Sequence, residues 1–249
     1  MNRNVIGHSR TVAKREWNAY FNSPVAYIFI VIFLVLAGFF TFSVSGFYEA
    51  GQADLRSFFF WHPWLYLILV PAVAMRLWAE ERRQGTLELL MTASVTPAEA
   101  IAGKLAAAWA FLGLALLLTF PVPLTAAWLG KPDWGVIVSG YIASLLLAGA
   151  YLAVGMFTSA LTRNQVISFI LAVVLGLFLI LAGFQPVTAL LAQWAPAWLV
   201  DGVAAFSFMP HYEALQRGVL DLRDFVYFAS VTGFFLFLTQ LVLGNRTGR

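Results

Sequence analysis

Charge is missing from this chain over distances that water would not tolerate. Residues 25–45, 106–128, 136–161 and 166–200 contain no Asp, Glu, Lys, Arg or His. About 20 apolar helical residues cross the hydrocarbon core of a bilayer, and these runs are that long or longer. With 61% hydrophobic and 11% charged residues and a mean hydropathy of +0.82, a chain of 249 residues cannot bury its apolar side chains in a soluble core. The expected class is an all-α integral membrane protein, one membrane domain over residues 1–249.

Six spans are expected, over residues 25–45, 61–79, 100–128, 136–161, 166–184 and 225–243. Pro63 and Pro71 interrupt the second, although Pro63 is harmless in a first turn, and Pro121 with Pro123 predicts a kink or early end in the third. Orientation follows from the basic residues, which favour the cytoplasmic side. Arg3, Arg10, Lys14, Arg15, Arg76, Arg82, Arg83, Lys104, Arg163, Arg246 and Arg249 fall on one side, and Arg56, Lys131, Arg217 and Arg223 on the other. Both termini are therefore expected inside, in a multi-pass protein of the cell's inner (cytoplasmic) membrane.

Residues 1–23 read as an amphipathic helix in the membrane interface, with Ser9 as its N-cap. Trp17, Tyr20 and Phe21 suit the headgroup level, and Arg10, Lys14 and Arg15 suit anionic lipid. The apolar run that follows is too long for a signal peptide and lacks a small-residue cleavage site, so it is expected in the mature protein. Residues 185–224 are too apolar for an ordinary loop. Residues 187–194 and 198–208 are each too short to span and Pro196 separates them, which predicts an outer re-entrant helical hairpin before the last span. A broken seventh span would instead put Arg246 and Arg249 outside. No internal repeat or flexible linker divides the chain.

Between the second and third apolar runs stands Glu80-Glu81-Arg82-Arg83-Gln84-Gly85-Thr86-Leu87-Glu88-Leu89-Leu90. As a helix, it sets Leu87, Leu90 and Met91 apart from Glu80, Glu81, Arg82, Arg83 and Glu88, a pattern for the membrane surface. The other reading is a solvated loop with snorkelling arginines. This segment resembles the first cytoplasmic coupling segment of ABC-2 type transporter permeases. A second stretch, Pro210-His211-Tyr212-Glu213 followed by Arg217-Gly218-Val219-Leu220-Asp221-Leu222-Arg223-Asp224, is similar to the gliding-motility-associated permeases within that family. The resemblance implies a coupling helix at residues 80–92 that docks on a separate ATP-hydrolysing subunit, with the interface helix beside it. It also implies two ATPase copies carrying ATP and Mg, a second permease copy, whether identical or similar, and in the subgroup an auxiliary protein with a large external domain.

The remaining chemistry is sparse. Zero cysteines exclude disulfides, thiolate metal sites and thiol nucleophiles. Gly103-Lys104-Leu105 and Gly130-Lys131-Pro132 lack the glycines and the Ser or Thr of a phosphate-binding loop, so no nucleotide site is expected in this chain. His8, His62 and His211 are far apart in sequence, and neither a metal site nor a catalytic residue is assigned. No cofactor is expected here, and a net charge of +3 is explained by topology better than by nucleic acid. Ion-coupled transporters usually hold ionisable groups at mid-membrane, which these runs lack. Ser168, Ala172 and Gly176 recur every four residues and form a small-residue face, which suits packing within one protomer or across a dimer. The expected function is the permease subunit of an ABC exporter or of a complex doing mechanical work on an envelope partner. A secondary transporter or channel, or a non-transporting membrane anchor, are the alternatives.

Overall fold

The computed structural model describes residues 5–49, 51, 54–86 and 96–247, and every regular element among them is helical. In order these are α1 (Val5–Phe21), α2 (Pro24–Phe39) continued by a π-helical turn (Phe40–Val44), α3 (Arg56–Phe60), α4 (His62–Ala74), α5 (Arg76–Gln84), α6 (Pro97–Leu117), α7 (Pro121–Leu129), α8 (Trp134–Leu161), α9 (Gln165–Leu181), α10 (Gln185–Leu191), α11 (Ala197–Ala205), α12 (Phe208–Gln216) and α13 (Leu222–Thr247). Short polar side chains start several of them. Ser23 caps α2, Asp133 caps α8, Asn164 caps α9 and Ser207 caps α12. Thr96 and Glu99 form a reciprocal capping box at α6, with Glu99 Oε2 accepting from the Thr96 amide at 2.6 Å. Each such cap is worth about 1 kcal/mol.

Among the described residues, four stretches are long and apolar enough to cross a membrane: Pro24–Val44, Pro97–Leu129, Trp134–Leu161 and Leu222–Gly244. A fifth is added if Gln165–Leu181 and Gln185–Leu191 count as one span, although they are bent by 76°. The expected second span does not form one helix. It divides at Met75 into α4, 13 residues long, and the charged α5. At 1.5 Å per residue α4 reaches about 20 Å, short of the roughly 30 Å hydrocarbon core.

Pro71 is not the direct site of this break. Pro63 sits in the first turn of α4 as expected, and Pro71 lies within the helix, where its carbonyl still accepts from the Met75 amide at 2.9 Å. The division is held by Ser159 of α8. Its hydroxyl donates to the Met75 carbonyl at 2.8 Å and accepts from the Trp78 and Ala79 amides, each at 3.0 Å. A side chain some eighty residues away thus satisfies the first-turn amides that a new helix leaves open. In the third expected span, α6 ends at Leu117 and α7 starts on Pro121, where the prolines predict the interruption.

Helix α8 is the hub, packed against α4, α5, α6, α9, α12 and α13. Its small side chains let these neighbours come close: a Cβ on Gly155 would lie 2.4 Å from the Ala74 Cβ. Two-thirds of the α8 span window is buried, 67%, against 17% for α13, so α13 turns most of its apolar surface outward. On α2, Val25, Ile28, Val31 and Val35 are likewise exposed, as a lipid-facing surface requires.

Ser168, Ala172 and Gly176 of α9 are fully buried inside the chain. A Cβ on Gly176 would meet Tyr151 at 2.8 Å and Leu67 at 3.1 Å, and Ser168 lies 3.5 Å from the Thr158 hydroxyl. The small-residue face is therefore taken up by α4 and α8 of the same chain. It is not open to a second copy.

The segment before the last span holds two short helices, α10 and α11, with Pro196 as the N-cap of α11. Neither buries a residue, and Trp194 and Trp198 are three-quarters exposed. The expected helix over residues 198–208 ends earlier, at Ala205. Ser207 then caps α12, whose Phe208, Tyr212 and Leu215 are buried in the bundle.

Candidate functional site

Two sequence features meet where α1 crosses the start of α6. Helix α1 starts at Val5, so Ser9 lies inside it and does not cap it. The Ser9 carbonyl and Val12 press on Gly103 of α6, where a Cβ would come within 2.7 Å of that carbonyl. One turn on, Glu16 faces Lys104.

Lys104 is 2% exposed, and its ammonium lies 2.8 Å from Glu16 Oε1 and 2.9 Å from Glu81 Oε1 of α5. Arg15 reaches the same two carboxylates, at 3.0 and 3.2 Å. The Lys104 ammonium also sits 5.1 Å from the Trp78 ring centre, and the Arg76 guanidinium 4.5 Å from that of Tyr20. Burial raises the Glu16 carboxyl, but Lys104 and Arg15 more than reverse this and hold it below its ordinary 4.5. Two cations and two carboxylates thus tie α1, α5 and α6 together at one point. Removing one partner from such a buried group costs several times what an exposed pair would.

Of the three aromatic residues expected at headgroup level, Tyr20 differs. Tyr20 is 2% exposed, stacked on Phe111 with ring centres 4.9 Å apart, while Trp17 and Phe21 are half-buried and 5.0 Å apart. The ring that was to lie among headgroups instead helps seat α1 on α6. Arg10, Lys14 and Arg15 are exposed, as a surface-facing set should be.

After the turn at Gly85, Thr86 is again helical, while Glu80 to Gln84 of the expected coupling segment form the end of α5. Gly85 closes it at φ +71°, the left-handed conformation glycine adopts most readily at a helix C-terminus. Glu80 bonds Arg83, Gln84 and Gln165, and its carboxyl is held low by the Arg83 hydrogen bond. Arg82 donates to the Ala160 carbonyl of α8, and Thr86 to the Glu81 carbonyl at 3.3 Å. Arg83 is 65% exposed. Of the four charges at 80–83, Glu81 and Arg82 work inside the chain, and Arg83 turns outward. Leu87, Glu88, Leu89 and Leu90, with the rest of the expected coupling helix to residue 92, lie outside the described residues.

At the other end of α8 the polar groups are neutral hydroxyls and an imidazole. His62 Nδ1 lies 2.7 Å from the Ser144 hydroxyl, which lies 3.2 Å from the Tyr212 hydroxyl, and Tyr212 donates to the Phe59 carbonyl at 2.8 Å. This network fixes α12 to α3, α4 and α8. His211 meets Asp224 at 2.6 Å and stacks on Tyr227, and His8 meets Glu99 at 3.7 Å. The three histidines therefore sit with three separate partners.

Tyr20 and Glu81 fall on helices expected from the sequence, but Glu16 and Lys104 were not among the expected site residues. The signal was present. Glu16 is the only acid in residues 1–48 and shares a helix face with Val12 and Tyr20, and Lys104 is the last charge before a long apolar run. An acid on one apolar face and a base on another each need a partner. Ser159, Ser144 and Tyr212 carry no such mark. Comparison with protein-family models and with curated proteins gives no match for this chain.

Proposed function

We propose that this chain is the membrane-spanning permease subunit of an ABC transporter of the ABC-2 type. It couples ATP hydrolysis by a separate ATPase, which holds ATP and Mg, to substrate export or to mechanical work on an envelope partner. The reading that supports this is the resemblance of residues 80–90, joined to one observation: the Lys104 junction links α5, the helix leading into that segment, to α1 and α6. A push on α5 would reach two other helices through paired charges rather than be lost in a loop.

In this proposal the chain crosses the inner membrane six times, by α2, α4 with α5, α6 with α7, α8, α9 and α13, and both termini face the cytoplasm. Helices α10 and α11 re-enter the outer leaflet. Two permease copies and two ATPases form the complex, with an auxiliary protein bearing a large external domain in the gliding-type subgroup. Because Ser168, Ala172 and Gly176 are buried within the chain, the dimer contact belongs on another face.

The test is to purify the tagged chain from its native membrane and ask whether an ATPase with a phosphate-binding loop comes with it. Arg83→Glu is the informative variant, since Arg83 is exposed while Glu81 and Arg82 are engaged internally. The proposal expects bound ATPase to fall in this variant while the chain stays folded. Absence of any ATPase from the wild-type preparation would refute it.

A further inference from the structure

A narrow apolar cleft opens on the membrane-facing side where α1, α2, α4 and α6 meet. Its volume is 170 Å³, and Ile28, Phe29, Ile32, Leu69 and Ala72 line its length. An apolar cavity of roughly 150 Å³ accommodates benzene, so this one takes a short segment of an acyl chain. Ile28 and Ile32 are exposed along the lipid-facing side of α2, which leaves the cleft accessible from the bilayer.

One end of the cleft reaches a charged residue. Arg76 lines it, at the point where apolar α4 gives way to charged α5, and carries no ion pair among the described residues. The nearby carboxylates are otherwise engaged: Glu16 and Glu81 with Lys104 and Arg15, Glu80 with Arg83. Tyr20 lines the same end, its ring 4.5 Å from the Arg76 guanidinium and its hydroxyl buried. A half-buried guanidinium beside hydrocarbon calls for a counter-charge, which a neutral ring does not supply.

We propose that this cleft is a binding site for one anionic phospholipid, with an acyl segment between α2 and α4 and the phosphate on Arg76 at its end. The guanidinium fork matches phosphate geometry with two parallel donors. Charge selects the headgroup and the cleft selects a chain, so neither free phosphate nor a neutral lipid satisfies both ends. The site needs only that the chain lie in a bilayer, and it stands apart from the proposal about ATP coupling.

The experiment is native mass spectrometry of the full-length protein released from nanodiscs holding equal phosphatidylglycerol and phosphatidylcholine. Arg76→Gln removes the charge, and Ala72→Phe fills the cleft while leaving Arg76 in place. Retained helical circular dichroism shows that each variant is folded. The wild type should keep one phosphatidylglycerol per chain, and each variant should lose it by about tenfold or more, the scale of a charged hydrogen bond. Retention of that lipid in both variants, equal retention of phosphatidylcholine, or displacement by inorganic phosphate would overturn the proposal. If Ala72→Phe alone keeps the lipid, the acyl end of the site is wrong and the proposal fails as stated.

Discussion

The two ends of α8 hold their neighbours by different means. Near Ser159, charged groups meet: Lys104 with Glu16 and Glu81, Arg82 with the Ala160 carbonyl. Near Ser144, uncharged groups do so: His62, Ser144, Tyr212 and the Phe59 carbonyl. The two serines are fifteen residues apart, about 22 Å along the axis. Paired charges are strongly intolerant of losing one member, because the partner left behind cannot be rehydrated, while a hydroxyl network loses one hydrogen bond at a time. The charged end ties α1, α5 and α6 at one point, and the uncharged network holds α12 to α3, α4 and α8.

Substitutions can separate the two ends by size of effect. Lys104→Ala should be the most damaging, at about 3 kcal/mol, because it leaves Glu16 and Glu81 with only the exposed Arg15 as counter-charge. Ser159→Ala should cost about 2 kcal/mol, since two amides and a carbonyl lose their common partner. At the neutral end Tyr212→Phe should cost about 1 kcal/mol. Denaturant unfolding in detergent, followed by circular dichroism, orders the three. A Tyr212→Phe cost equal to that of Lys104→Ala would erase the distinction.

Acid should weaken the Lys104 junction. Glu16 is depressed below 4.5 in the folded protein, so its stabilisation is complete above that value and is lost as pH falls through the lower native one. An unfolding midpoint measured downward from pH 5 should therefore drop in the wild type and drop less in Glu16→Gln. The smallest effect belongs to Arg217→Ala, which breaks an exposed pair with Glu213 and should change stability by less than about 0.5 kcal/mol.

Much of the fold was legible because hydropathy reports burial in lipid directly. The apolar runs became helices, Pro121 marked the turn between α6 and α7, and Pro196 marked the start of α11. The division at Met75 was hidden because its cause, Ser159, is eighty residues distant. The small face on α9 was visible, but which helices occupy it was not, since Leu67 and Tyr151 come from elsewhere in the chain. For the site, each charge was visible alone. Their convergence depends on α1 crossing α6 at Gly103, and nothing local in either helix specifies that crossing.

The proposed coupling requires α1 and α5 to move as one body when an ATPase acts on the chain. Pulsed dipolar spectroscopy on the complex with the proposed ATPase, with labels at Asn18 on α1, Gln84 on α5 and Leu241 on α13, tests it directly. The expected result is an Asn18–Gln84 distance that stays narrow and unchanged on adding ATP, an Asn18–Leu241 distance that shifts, and a broadened Asn18–Gln84 distribution in Lys104→Met. An Asn18–Gln84 distance that changes with ATP in the wild type, or that stays narrow in Lys104→Met, would contradict it.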